Sequence, residues 1–129
     1  MQRFRKKEEK KSDVGHEGNV SELEQLTGSD TETYEALCST MFLDPRKIET
    51  SLEQAADNAK KSEKAGDMAR AGMWYEVAGG LAIYEGNVEK VVEHYTDAAR
   101  VTGRQYLILK NPEKAVAVAQ EYYKKVLLA

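Results

Sequence analysis

The sequence has little of what a disulfide-bonded, membrane-spanning or secreted protein needs. Its 129 residues include a single cysteine, Cys38, so an internal disulfide is excluded and a reducing compartment is favoured. No apolar run approaches the roughly 20 residues of a transmembrane helix, and no apolar stretch follows the basic N-terminus as it would in a secretory signal. We therefore expect a cytoplasmic protein without a transmembrane segment.

Groups that could carry out chemistry are also few. The two histidines, His16 and His94, belong to no His-x-x-x-His, Glu-x-x-His or Cys-x-x-Cys motif, and a metal site needs three or four matched ligands. We expect His94 on the outer surface of its helix, beside Glu93 and Asp97. Cys38 has no neighbouring base that would activate it, so we expect it to pack in the core or in a groove. The sequence predicts no catalytic residue, no metal and no cofactor, and an enzyme is not expected.

The net charge of −3 is spread unevenly along the chain. Residues 1–11 carry a charge of +4, residues 12–43 carry −7, and the remainder is neutral. Residues 1–20 have almost no large apolar side chains, so we expect residues 1–28 to form a disordered charged tail and residues 29–129 a helical domain. The alternative for the end of the tail is a short helix, because Ser21 and Glu24 form a capping box and Gly28 would end it. A neutral body lacks the basic face of a nucleic-acid-binding protein. The alternative is a regulatory domain whose basic arm, with Phe4 among its basic residues, contacts nucleic acid or an anionic membrane.

Apolar residues recur at steps of three and four, which predicts an all-α protein of about five helices. The predicted helices cover residues 30–43, 45–64, 67–84, 88–102 and 112–127. Gly66-Asp67 and Gly86-Asn87 combine a helix-ending glycine with the cap of the next helix. The short apolar run 105–109 reads as a helical turn or two, with an extended strand as the alternative.

The helix over residues 67–84 has apolar residues on two faces, so it should be covered on both sides by the helices before and after it. One face comprises Met68, Ala71, Tyr75, Ala78 and Ala82, and the other comprises Met73, Trp74, Val77, Leu81 and Tyr84. Gly79-Gly80 lies in the middle of this helix, where two glycines cost up to about 2 kcal/mol against alanine. Close packing by a neighbouring helix is the favoured compensation, and a kink that opens a pocket is the alternative.

Segments that start at Asp67, Asn87 and Asn111 align without gaps, which indicates an internal repeat. The first two share matched pairs at Ala71 and Val91, Tyr75 and Tyr95, and Ala78 and Ala98. In these turn, alanine and aromatic positions the sequence resembles tetratricopeptide repeats, and residues 65–99 are similar to the longer-helix variant of SNAP-type vesicle-fusion adaptors. The resemblance covers residues 45–127, although Ser62 stands where the family has an aromatic residue and the period is not a steady 34. It implies stacked antiparallel helical hairpins in a right-handed superhelix.

The same resemblance implies a non-enzymatic adaptor that binds a protein or peptide in a groove or on an exposed helix face. The predicted partner-binding residues are Lys60, Glu63, Lys64, Arg100, Arg104, Tyr123 and Leu127. Lys60, Lys64 and Arg104 would favour an acidic segment, whereas Tyr123 and Leu127 belong to the wide apolar face of the last helix.

A terminal repeat needs a polar cap, so we expect another element to cover that face. Helix 30–43 could fold back over it in a monomer, which we favour, or two copies could cap each other as a homodimer. A different alternative is a closed helical bundle that holds an apolar ligand near Trp74. That bundle would require an internal pocket of roughly 300 Å³ or more.

Overall fold

The structure, a computed structural model, describes residues 22–41 and 44–127, and every regular element within them is helical. The helices are α1 (22–27), α2 (Thr31–Thr40), α3 (Leu52–Lys64), α4 (Met68–Glu85), α5 (Val88–Thr102) and α6 (Pro112–Val126). Two single turns of 3₁₀-helix, Pro45–Lys47 and Leu107–Lys110, lie between them. The all-α prediction is confirmed for this part of the chain. The second 3₁₀ turn also confirms helical rather than extended structure after residue 105.

The start of the helical packing differs from the expected boundary at residue 29. Most of the predicted tail, residues 1–21, lies outside the described residues. At its end, residues 22–27 are helical, and the Leu23 side chain is buried in the core. Gly28 ends this helix in the left-handed conformation (φ 58°), and the buried Thr27 hydroxyl donates to the Leu23 carbonyl at 3.1 Å.

Helix α4 packs against α3 on one side and α5 on the other, which confirms the prediction from its two apolar faces. The short connections 65–67 and 86–87 force each pair of consecutive helices to run antiparallel. Gly66 and Gly86 have φ values of 82° and 75°, which glycine adopts without steric cost. Asp67 and Asn87 then cap the next helices by accepting backbone N–H bonds of 3.1 Å.

The prediction of one helix over residues 45–64 is wrong. Asp44 accepts from the Arg46 N–H at 3.0 Å and caps only the single turn Pro45–Lys47. The chain is then extended at Ile48 (φ −87°, ψ 117°), and α3 starts after Ser51, whose hydroxyl accepts from the Gln54 N–H at 3.1 Å. A second local cap therefore competes with continuation of the first turn. The buried face of α3 is as predicted: Leu52, Ala55, Ala59 and Ser62.

Helix α2 is turned on its axis relative to the predicted orientation. The helical spacing of Tyr34, Leu37, Cys38, Met41 and Phe42 predicts an inner face that includes Cys38, but Cys38 is exposed, so its predicted packing is wrong. The observed buried residues are Thr33, Ala36, Leu37 and Thr40. Thr40 can be buried because its hydroxyl donates to the Ala36 carbonyl at 2.8 Å, and Thr33 donates likewise to the Asp30 carboxylate at 2.7 Å. Phe42, also expected on that face, lies outside the described residues.

Helix α2 folds back onto α6 and the 3₁₀ turn Leu107–Lys110, as we expected of a helix that covers the last one. The Lys114 ammonium pairs with the Asp30 carboxylate and, together with Thr33, holds the pKa of that carboxyl well below its usual range. Gln120 of α6 donates its amide N–H groups to the carbonyls of Ile83 and Tyr84 at 2.8 and 2.9 Å. Both carbonyls lie in the last turn of α4, where few backbone donors remain, and the Ile83 carbonyl also accepts from the Gly86 N–H at 3.0 Å, so these bonds fix α6 to that end of α4.

The buried apolar residues form two clusters. The main core is made mostly of large side chains: Leu23, Ala36, Leu37, Leu52, Leu81, Ala82, Ile83, Val91, Tyr95, Ile108, Ala115, Val116, Ala119 and Tyr123. The alanine core contains Ala59, Ala71, Tyr75 and Ala98, with Trp74 and Val101 packed against it. It joins the later part of α3, the start of α4 and the end of α5.

Candidate functional site

A polar network ties together the three helices around the alanine core. The Tyr75 hydroxyl donates to Glu63 Oε1 at 2.9 Å, and the Arg100 guanidinium donates to both Glu63 oxygens and to Asp97. Arg100 and then Tyr75 lower the pKa of the Glu63 carboxyl. Burial, and after it the Glu63 charge, raises the pKa of Tyr75 to about 12. The predicted site residues Glu63 and Arg100 thus lie in contact with each other, and their opposite charges cancel.

An open groove of about 630 Å³ lies beside this network and is here called the lysine groove. It is lined by Asp57, Lys60, Lys61, Glu63, Lys64 and Met68. Lys61 pairs with Asp57 at 3.2 Å, and Glu63 is held by Arg100. Lys60 and Lys64 pair with no carboxylate of the described residues, so the charge left on this groove is positive.

A second open groove of about 510 Å³, the methionine groove, continues from the first because both are lined by Met68. Its lining is Met68, Ala69, Gly72, Met73, Glu76, Val101, Thr102 and Arg104. Met68 and Met73 are 42% and 48% exposed, which is unusual for large apolar side chains. Arg104 donates to Glu76 Oε2 at 2.8 Å, and the Tyr106 hydroxyl donates to the same oxygen. The charges of the predicted site residue Arg104 and of Glu76 therefore cancel within this groove.

The two remaining predicted site residues lie elsewhere. Tyr123 is only 5% exposed, and its ring meets the Tyr84 ring edge-on at 5.2 Å between centroids. It is therefore a residue of the main core and offers no free contact surface. Leu127 is partly buried against the main core, and its carbonyl accepts from Arg46 at 3.1 Å.

Sequence reasoning missed the exposed methionines because it assigned both to inward faces of α4. Helical periodicity shows which residues share a face, but not whether a neighbouring helix extends far enough to cover it. Met68 is the first residue of α4, where a helix has neighbours on fewer sides. The small residues Ala69 and Gly72 between the methionines are the sequence signal that a depression could lie there.

The interior is filled where the alternative bundle would hold its ligand. A Cβ on Gly79 would lie 2.5 Å from Tyr95 Cε2, so the Tyr95 ring occupies that space and the close-packing interpretation is confirmed at Gly79. A Cβ on Gly80 would meet nothing within 4 Å. The cavity that Gly80 lines has a volume of about 10 Å³, room for a single water.

The prediction of a surface His94 is wrong, since this side chain is only 2% exposed. Neither ring nitrogen bonds to any described residue, and the same is true of the adjacent Tyr95 hydroxyl. Burial lowers the pKa of His94 despite the nearby Glu93 and Asp97 charges. The neighbouring carboxylates suggested an exposed position, but His94 lies on the same buried side of α5 as Val91 and Tyr95.

No family model matches the chain, and neither a curated protein nor a solved structure matches it. The resemblance to tetratricopeptide repeats therefore stays a prediction. Among the described residues, no helix is long and apolar enough to cross a membrane. Nor do residues 22–41 and 44–127 contain a group of three or more His, Cys, Asp or Glu side chains placed to hold a metal ion.

Proposed function

We propose that this chain is a non-enzymatic interaction module, similar to a tetratricopeptide-type adaptor, that binds an acidic segment of a partner protein in the lysine groove. The observation that carries the proposal is the pair Lys60 and Lys64 on the wall of an open groove whose carboxylates are already paired. The two lysines are one helical turn apart, about 6 Å along α3. That spacing suits neighbouring carboxylates of one peptide segment.

The arrangement of empty space favours a surface partner over an enclosed ligand. Both large openings, the lysine and methionine grooves, face solvent. The cavity beside Gly80 and another between α2 and α6 are each about 10 Å³, far below the several hundred Å³ of a ligand pocket. An apolar ligand near Trp74 would have to displace the buried Tyr75 and Tyr95 rings.

The charge of the groove favours a peptide over a nucleic acid. Asp57 and Glu63 line it together with the lysines, and Glu93 and Asp97 follow on α5. A phosphate backbone carries a dense row of charges and requires a continuous basic face. A short acidic segment needs only Lys60 and Lys64, since Asp57 and Glu63 are already paired with Lys61 and Arg100.

Binding should be weak to moderate and sensitive to salt, because exposed ion pairs contribute about 0.2–1 kcal/mol each and are screened within about 10 Å at 0.1 M salt. The test is a calorimetric or fluorescence titration with a synthetic peptide of glutamate and serine at low salt. Reversing both charges (Lys60→Glu with Lys64→Glu) should weaken binding about tenfold or more, since attraction becomes repulsion at two positions. The matched control is Lys124→Glu, an exposed lysine on α6, which should leave the affinity unchanged.

Two results would contradict this proposal. In one, the unsubstituted chain shows no affinity for the acidic peptide at low salt. In the other, the charge reversals on α3 weaken binding no more than Lys124→Glu does. That result would mean that only the net charge of the protein matters.

A further inference from the structure

The lysine and methionine grooves meet at one residue. Met68 lines both, since it follows the α3–α4 turn directly and α3 ends at Lys64. A segment lying in the lysine groove therefore reaches the methionine groove without leaving the surface. The two grooves differ in character, because one retains positive charge and the other presents exposed methionine side chains beside a neutralised ion pair.

Helical geometry gives the methionine groove a floor and two walls. At 100° per residue, Ala69 and Gly72 lie on α4 between the directions of Met68 and Met73. Ala69, which is exposed, forms the floor, the Thr102 methyl group lies directly over Gly72, and the two methionines stand on either side. Thr102 and Val101 of α5 close the groove against α4. A single leucine-sized side chain fits between flexible walls of this kind, since methionine adapts its shape to the group it contacts.

We infer that the partner segment combines acidic residues with an adjoining apolar anchor: the acidic residues contact Lys60 and Lys64, and the anchor lies between Met68 and Met73. This inference rests on the proposed function and adds the chemistry of the partner. Two of the three exposed large apolar side chains among the described residues are these methionines. The contacts with the lysines leave the apolar surface of Met68 and Met73 exposed, and binding of such an anchor removes this surface from water.

Methionine methyl NMR tests the inference on the whole chain. The sequence has four methionines, and Met41, partly buried at the end of α2, serves as an internal reference. The probes are a glutamate-rich peptide, the same peptide extended by a leucine pair at either end, and vesicles containing an anionic lipid. The leucine-containing peptides should shift the Met68 and Met73 methyl signals and leave that of Met41 in place. The glutamate-only peptide should shift at most the methyl signal of Met68, which also lines the lysine groove, and should leave that of Met73 in place.

Affinity measurements with variants give a second readout. Met68→Ser with Met73→Ser should weaken binding of the leucine-containing peptide about fivefold or more, to the level of the glutamate-only peptide. The affinity for the glutamate-only peptide should not change. Val92→Ser, at the third exposed large apolar residue, is the matched control and should have no effect on either peptide.

The outcomes separate this inference from the proposed function. If the leucines add no affinity and the Met73 methyl does not move, the inference is overturned while the acidic-segment proposal stands. If no peptide binds, both are overturned. If the vesicles alone shift the lysine and methionine signals, the surface binds a membrane and not a protein segment, and the inference is again overturned.

Discussion

The main core and the alanine core stabilise the molecule in different ways. The main core brings α1 to α6 together, including α3 through Leu52, and it does so with large side chains such as Leu37, Ile83 and Tyr123. The alanine core holds α3, α4 and α5 close together through Ala59, Ala71 and Ala98, which have little apolar surface to bury. Its exposed edge is closed by the Glu63–Arg100 ion pair.

This difference bears on where binding can occur. Both open grooves border the alanine core, where the side chains between helices are small and the outer faces carry lysines and methionines. The main core provides most of the hydrophobic stabilisation because large buried side chains contribute about 1.5–3 kcal/mol each. Changes in the grooves should therefore affect binding with little effect on folding, and changes in the main core should do the reverse.

The largest expected effect is at Tyr123. Because its ring is buried among α4, α6 and Tyr84, Tyr123→Ala should lower the free energy of unfolding by about 3–5 kcal/mol. Urea denaturation followed by circular dichroism measures this. In the alanine core Ala59→Gly should cost only about 2 kcal/mol, from the lower helix propensity of glycine and the loss of one buried methyl group. Equal losses at the two positions would contradict the contrast between the cores.

Gly79 and Gly80 offer a second, smaller test within a single helix. Gly79→Ala places a Cβ against the Tyr95 ring, which is itself fixed in the core, with its centroid 5.3 Å from that of Tyr106. Overpacking of this kind costs about 1–3 kcal/mol, so a net loss of stability should remain after the gain in helix propensity. Gly80→Ala meets no atom within 4 Å and should raise stability by up to about 1 kcal/mol.

Thermal denaturation of the two alanine variants, prepared side by side, measures this difference in sign. If both variants were stabilised, Tyr95 would have room to move and the α4–α5 contact would be looser than the structure shows. If both were destabilised, Gly80 would have a role that its open surroundings do not explain.

The helix boundaries that could be predicted are those marked by local chemistry. Asp67 and Asn87 accept from backbone N–H groups three residues ahead, and Gly86 adopts its left-handed conformation within the same turn. Such contacts join residues close in sequence, so they can be recognised without knowing the fold. Ile48 shows where prediction from local spacing fails. The apolar spacing is compatible with one continuous helix over 45–64, but the chain is extended at Ile48 and a new helix begins after the cap at Ser51.

Burial was harder to predict because it depends on distant neighbours. Cys38 lies on the predicted apolar face of α2 but is exposed, whereas His94 was expected outside and is buried. In the candidate site, the lysine groove contains the predicted Lys60 and Lys64, but the pairing of Glu63 with Arg100 depends on how α3 and α5 align. The spacing of residues along one helix does not predict how two helices align. For the same reason the exposure of Met68 and Met73 was not predicted.

The smallest expected effect concerns His94, which lies on α5 one turn after Val91 of the main core and one turn before Ala98 of the alanine core. Burial lowers its pKa from the ordinary 6.5, with Glu93, Asp97, Lys90 and Lys60 as the neighbouring charges. Between the folded and unfolded pKa values the unfolded chain binds more protons, so stability should fall as the pH drops below about 6.5. Above that pH both states are neutral at this residue, and no pH dependence arises from it.

The measurement is the free energy of unfolding from urea titrations between neutral and mildly acidic pH, for the unsubstituted chain and for His94→Gln. Carboxylates such as Glu63 also titrate on acidification, so the difference between the two pH profiles isolates the histidine. His16→Gln removes the other histidine and should leave the profile of the unsubstituted chain unchanged. If His94→Gln loses stability in parallel with the unsubstituted chain just below pH 6.5, burial of the imidazole does not cause the acid sensitivity in that range, because the lowered pKa of Glu63 predicts a loss of stability only at lower pH.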